Sequence, residues 1–349
     1  FGKTGNVISV SLEEWQAFNP QVLYGCGGDR KALTILDQPG WKEVDAVRNN
    51  RVFFFHCDLT CRASTHQGYF TAWLAARIYQ KEFGAPENFV LPEQVVKTTP
   101  LELYLEYVEK AEILESYIKD FRNKTVVLRL NKPMQVVSTL EGQRKGITTV
   151  ANHYFPPPSW GLGHDQGLEG LRKTTQKALD LDNTNTAMLF TGANIDNLAV
   201  VKKSFKDMEV TALVTAGVMG NAMRMGSDEG RFYEPDSLDQ DKMNKKKPGT
   251  INILLLTNMQ LSPRAMTRAI ISATEGKTAA LQDMDIRSSQ TRRSNQATGT
   301  GTDNIIVLEG QGTPIDATGG HTKMGELIAK AVYAGVQGAV HKQNGVVTQ

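Results

Sequence analysis

The stretch Gly249-Thr250-Ile251-Asn252-Ile253-Leu254-Leu255-Leu256-Thr257, followed by Leu261-Ser262-Pro263, decides the fold class. The run from Ile251 to Leu256 is too short to cross a bilayer and has the length and branching of a buried strand. Ser262 then offers its hydroxyl as an N-cap, and Pro263 fits the first helical turn, where its missing N–H loses no partner. Ala265, Ala269 and Ile270 continue at helical spacing towards Leu281. A strand feeding a capped helix is one α/β unit, and the surrounding sequence repeats the pattern. Ala187–Phe190 and Ala212–Val218 read as further buried strands, and Ile305–Leu308 as a strand before a helix from about Met324 to Val340. Upstream, Thr125–Leu130 and Gln135–Thr139 read as two short strands. The class is therefore α/β or α+β, with sheets covered by helices.

The 349 residues exceed one ordinary domain, and 40% hydrophobic with 22% charged residues describes a chain with a real core. A net charge of +2 advertises no nucleic-acid partner, and no apolar run suggests a membrane span. Composition divides the chain at about residue 122. The first part, 1–122, is slightly acidic and holds all three cysteines (Cys26, Cys57 and Cys61) and three of the four tryptophans; the remainder, 123–349, is slightly basic. In the first part, Ser11 and Glu14 form a capping box, Val22-Leu23-Tyr24 and Arg51–Phe55 read as strands, and Phe70, Trp73, Leu74, Arg77 and Ile78 share a helical face. Thr99-Pro100-Leu101-Glu102 repeats the capping pattern and predicts a long amphipathic helix to about Phe121.

Trp15, Asn19-Pro20-Gln21-Val22-Leu23, Pro39-Gly40-Trp41-Lys42-Glu43-Val44 and Ala46–Val52 resemble the C-terminal lobe of class III substrate-binding proteins, over roughly the first 80 residues. Those proteins carry corrinoids and iron chelates to importers. The resemblance implies an α/β lobe of periplasmic-binding-protein type, ligand contacts from Tyr24, Cys26, His56, Arg62 and His66, and an importer as partner. The family's N-terminal lobe has no counterpart in the sequence, and its members do not usually carry the cysteine loop. Cys26, Cys57 and Cys61 suit a disulfide with one free thiol, or structural packing, better than a metal or iron–sulfur centre that lacks a fourth ligand.

In the second part, five strings stand in order: Val214–Val218, Pro248–Ile253, Ala273–Ala280, Ala297–Asp303 and Gly320–Glu326. Together, from about Val126 to Val340, they resemble the adenosylcobinamide amidohydrolase family of corrinoid salvage. The resemblance implies a layered sheet-and-helix domain, αββα in its fullest form. It implies hydrolysis of the amide between the corrin ring's propionyl arm and its aminopropanol-derived linker, a corrinoid as substrate and no required cofactor. A binding-protein lobe suggests export and salvage hydrolysis suggests the cytoplasm; the lobe tips the expectation towards an extracytoplasmic site.

Cleaving an amide needs a nucleophile, a proton for the leaving amine and donors for the oxyanion. The sequence has neither a Gly-x-Ser-x-Gly elbow nor a His-Glu-x-x-His helix. The segment Gly249–Thr257 with Leu261-Ser262-Pro263 is similar to the nucleophile strand of self-processing β-peptidyl aminopeptidases, in which a broken Gly–Ser bond frees the attacking residue. That likeness makes Thr250 the nucleophile, Asn221 the oxyanion donor, and Thr302 and Asp303 the auxiliary hydroxyl and acid; those families also often form homo-oligomers. If Gly249–Thr250 stays intact, Lys277, Asp303 or His321 must serve as base.

Each assignment has a plainer counterpart. Thr250 suits the start of a strand as a β-branched residue, Asn221 suits a turn among glycines, and Lys277 beside Glu275 suits the solvated face of a helix. The loop 297–303 either presents its amides to a ligand or is simply exposed. His153, Trp160 and His164 complete the expected substrate contacts, an imidazole reaching the cobalt or the side-chain amides. His153, His164-Asp165 and His321 are of types that could gather as a metal site, but their spacing is not diagnostic of one.

Overall fold

The computed structural model describes residues 9–26, 35–55, 67–83, 92–118, 121–156, 167–230 and 250–347. They fall into two compact units, the first formed mainly by residues 1–92 and the second built from Glu93 onward.

In the first unit, helix α1 (Leu12–Phe18) begins with the expected capping box: Ser11 and Glu14 satisfy each other's backbone amide. Strand β1 (Leu23–Cys26) leads to the short helix α2 (Asp45–Arg48) and strand β2 (Val52–Phe55), which pairs parallel to β1 with Leu23 opposite Val52. Helices α3 (Gln67–Ile78) and α4 (Gln80–Phe83) follow. The strand–helix alternation read from the sequence is present.

The second unit opens with a correction. The segment expected to be a helix from Thr99 to Phe121 forms two antiparallel strands, β3 (Gln94–Pro100) and β4 (Val108–Ile118), with Thr99 opposite Ile113. The Thr-Pro-Leu-Glu pattern satisfies local helix chemistry, but Val95, Val96, Thr98 and Thr99 favour a pleated ribbon, and the burial of Leu114, Ser116 and Ile118 comes from the sheet. Pro100 ends its strand, where a missing N–H is tolerated. These strands belong to the second compact unit, which begins at Glu93. The two short strands expected at 125–139 are one strand, β5 (Phe121–Ser138), whose register shifts around Met134 against β6 (Gly142–Tyr154).

Helix α5 (Gly167–Ala178) comes next, then β7 (Thr186–Thr191), β8 (Ala199–Phe205), β9 (Met208–Ala216) and the short β10 (Ala222–Met223). Strand β11 (Ile251–Thr257) and the short β12 (Gln260–Leu261) precede helix α6 (Pro263–Asp283), whose Ser262 hydroxyl accepts from the Ala265 amide as expected. The short β13 (Gly299–Thr300), β14 (Asn304–Leu308), the short β15 (Pro314–Ile315) and helix α7 (Lys323–Asn344) complete the unit.

One nine-stranded sheet runs β3-β4-β5-β14-β11-β9-β8, with β6 and β7 branching from β5. It curls: Asn252 on β11 bonds to Asn152 on β6 and to the Phe190 carbonyl on β7, although neither strand is its ladder neighbour. The second unit is thus a mixed α/β arrangement on a curled sheet. Alternation along β11 sends Ile251, Ile253 and Leu255 towards α6 and α7, and Leu254 and Leu256 into the curl, among Leu128, Leu189 and Leu213. Full burial of each such side chain contributes about 1.5–3 kcal/mol.

Helices α6 and α7 approach closely because small residues meet: a Cβ on Gly276 would lie 2.6 Å from the Ala329 carbonyl oxygen. Gly276→Val is therefore expected to lower unfolding stability by about 1–3 kcal/mol through overpacking. A shift in the urea midpoint at unchanged slope checks this.

Candidate active site

Backbone register gathers the site. Strand β11 runs parallel to β14 with Asn252 opposite Asn304, so Thr250 and Thr302, two residues back on each, also meet. The Thr250 hydroxyl donates to the Thr302 carbonyl at 2.5 Å, and Asn252 Oδ1 lies 3.4 Å away. Thr250 is 4% exposed. Its own carbonyl accepts from Gly217 at 2.9 Å and extends the β9 ladder.

The turn between β13 and β14 is held by Asp303. One carboxylate oxygen accepts from the Ile251 amide at 3.0 Å and from the Thr300 hydroxyl. The other accepts from the Thr300 amide at 3.0 Å and from the ammonium of Lys277 on α6. Lys277 is thus no solvated surface ion; its side chain is 9% exposed and that of Asp303 13%. Glycine is required at 299, where a Cβ would lie 2.5 Å from Asp303 Oδ2 and 2.7 Å from Lys277 Nζ. With four donors on it, Asp303 anchors the turn and is poorly placed to take the Thr250 proton.

Asn221 is brought to the same place by the β10–β13 pair, in which Ala222 opposes Thr300. Its carbonyl accepts from the Gly301 amide at 3.2 Å, and its Nδ2 lies 3.4 Å from Thr302 Oγ1. On the same segment of chain, Met219 and Met225 are 77% and 69% exposed. Thr250, Asn221, Lys277, Thr302 and Asp303 therefore form one cluster. Thr300, which gives Asp303 two of its four bonds, was not singled out; its place in a Thr-Gly-Thr-Gly-Thr run left no hydroxyl distinguished from its neighbours.

Other expected residues lie elsewhere. His321 is exposed in the loop before α7, near Arg268 in the first turns of α6 and away from the end that carries Lys277. His153 is completely buried: Nδ1 meets the Thr125 hydroxyl at 2.7 Å, Nε2 has no hydrogen-bond partner, and Phe155 packs edge-on at 4.5 Å. A ligand cannot reach that ring without displacing its cover. Tyr24 is exposed on β1. His56, Cys57, Cys61, Arg62, His66, Trp160, His164 and the Cys26 side chain lie outside the described residues, as does Gly249. Among the described residues no three His, Cys, Asp or Glu side chains gather as a metal site, and no helix is long and apolar enough to cross a membrane.

Burial pushes the His153 imidazole down to about 3. The unfolded chain, with an ordinary imidazole near 6.5, binds a proton there that the folded chain refuses. Stability is therefore complete above about pH 6.5 and is lost as pH falls towards 3, by up to about 1.4 kcal/mol per pH unit. Urea midpoints of wild type and His153→Leu between pH 7 and 4.5 are expected to show a shallower decline in the variant; parallel declines would contradict this.

The model of the adenosylcobinamide amidohydrolase family matches residues 105–348. An uncharacterized protein of Methanocaldococcus jannaschii is 42% identical over 226 residues, 63% of this chain and 87% of the relative. The adenosylcobinamide amidohydrolase of Methanosarcina mazei is 28% identical over 239 residues, 64% of this chain and 96% of the relative. The solved PH0078 protein from Pyrococcus horikoshii overlaps with a TM-score of 0.32 at 12% identity, covering 71% of this chain and 85% of that one, a likeness too loose to define the fold.

Proposed function

The chain belongs to the adenosylcobinamide amidohydrolase family, and from that premise we propose that it hydrolyses the amide between the corrin ring's propionyl arm and its aminopropanol-derived linker. Water and the amide give a cobyric acid and the free amine. The observation that carries the reading is the meeting of Thr250, Asn221 and the Lys277–Asp303 pair at one end of β11.

In this scheme the Thr250 oxygen attacks the amide carbonyl carbon, and Asn221 Nδ2 donates to the oxyanion. The C–N bond breaks, the amine leaves with a proton, and water then cleaves the threonyl ester and restores the hydroxyl. The base is either the Thr250 α-amine, freed by cleavage of Gly249–Thr250, or, in an intact chain, Lys277. Lys277 tethers the turn through Asp303 in both cases. The exposed thioethers of Met219 and Met225 offer an adaptable apolar rim for the face of a large macrocycle, which supports a bulky substrate over a short peptide. From the resemblance of the first 80 residues to a substrate-binding lobe, we further propose that the first unit presents a corrinoid and engages an importer outside the cytoplasm.

Incubation with cobinamide or its adenosyl form, followed by mass spectrometry of corrinoids and protein, tests the proposal. Cobyric acid is expected, with a loss of about a thousandfold or more in rate for Thr250→Ala. A chain split at Gly249–Thr250 assigns the base to the α-amine, and an intact active chain assigns it to Lys277. Bound corrinoid without product from either substrate would reduce the protein to a binding module; cleavage of short peptides alone would make it an aminopeptidase.

A further inference from the structure

We infer that Asn252, held inside the curled sheet by Asn152, Phe190 and Thr215, is a positioning residue that sets the orientation of the Thr250 hydroxyl. The inference rests on the reading of Thr250 as nucleophile.

Asn252 is completely buried, and Asn152 and Thr215 are 2% and 1% exposed. They lie among Leu254, Leu213, Val150 and Leu189, where an apolar side chain of similar size would avoid the cost of burying amides. Their hydrogen bonds form one directed chain. The Phe190 carbonyl can only accept, so the group 2.9 Å from it must be the Asn252 NH2. The same nitrogen donates to Asn152 Oδ1 at 2.8 Å, which turns the Asn152 NH2 towards Thr215 Oγ1 at 3.0 Å. Thr215 in turn sits directly across the ladder from Asn252. One backbone carbonyl thereby fixes both amide flips.

With its nitrogen committed twice, Asn252 can present only its oxygen to Thr250, at 3.4 Å. The Thr250 hydroxyl then faces two acceptors, the Thr302 carbonyl and Asn252 Oδ1. Its hydrogen must turn towards them, and the lone pairs not engaged there point elsewhere. Neither acceptor is basic enough to remove the proton. Their effect is to hold χ1, and with it the attacking oxygen, in one state, so that only the hydrogen has to swing to the base.

The β-branch of threonine restricts χ1 by itself, whereas serine depends on its surroundings. The test is a kinetic cycle on cobinamide hydrolysis with Asn252→Ala, Thr250→Ser and the double variant. Asn252→Ala is expected to lower kcat about tenfold with KM within about twofold, and to cost about threefold more again in the Thr250→Ser background. Equal losses in both backgrounds, or a loss confined to KM, would overturn the inference. If Asn252→Ala gives no cooperative melt, Asn252→Leu decides, since it keeps the volume and removes the acceptor that faces Thr250: a lower kcat at unchanged KM supports the inference, and an unchanged kcat refutes it. Wild-type turnover by Thr250→Ala would instead overturn the nucleophile reading itself, without reference to Asn252.

Discussion

The Asp303 carboxylate ties three parts of the chain together at one point. It accepts from Ile251 at the start of β11, twice from Thr300 in the neighbouring turn, and from Lys277 in the C-terminal half of α6. Each charge is nearly enclosed, and each makes the other's burial tolerable. Removing one partner of such a pair leaves the other uncompensated, at a cost of about 3–5 kcal/mol. The glycine at 299 is the steric counterpart, since the ammonium and carboxylate occupy the space a side chain would need. Thr250 is aligned by this junction without touching the carboxylate.

The rest of the second unit holds that junction in place through two cores on opposite faces of one sheet. On one face α6 and α7 pack through alanine and glycine: Gly276 meets Ala329, and Gly335 lies against Val214. On the other, branched side chains fill the inside of the curl. The polar trio of Asn152, Asn252 and Thr215 interrupts that second core just behind Thr250.

Much of this was legible in the sequence, for identifiable reasons. The strand at 251–257 and the helix after Ser262 each carry their own local signal, and both are present. The segment from Thr99 misled because a capping pattern is a four-residue affair, whereas its strand pairing is set by partners elsewhere in the sheet. Lys277 read as a surface ion because its partner lies in a different loop, and no helical spacing reveals that. His321 shares a family-like string with the site, yet the fold carries it to another end of α6. Asn252 was visible as the one polar residue in Ile-Asn-Ile, but its meaning depends on a carbonyl donated by another strand.

The long strand β5 has a consequence for how the protein is made. It pairs with its sequence neighbours β4 and β6, and also with β14, so that Thr139 bonds to Asn304, 165 residues further on. Contacts this distant slow folding and leave a strand edge open until the late partner arrives. On the ribosome, that edge is uncovered while most of the second unit is still being synthesised. The strand that closes it begins immediately after Asp303. Closing the edge and assembling the threonine site are therefore the same late event, and a nascent chain carries no competent hydroxyl before it.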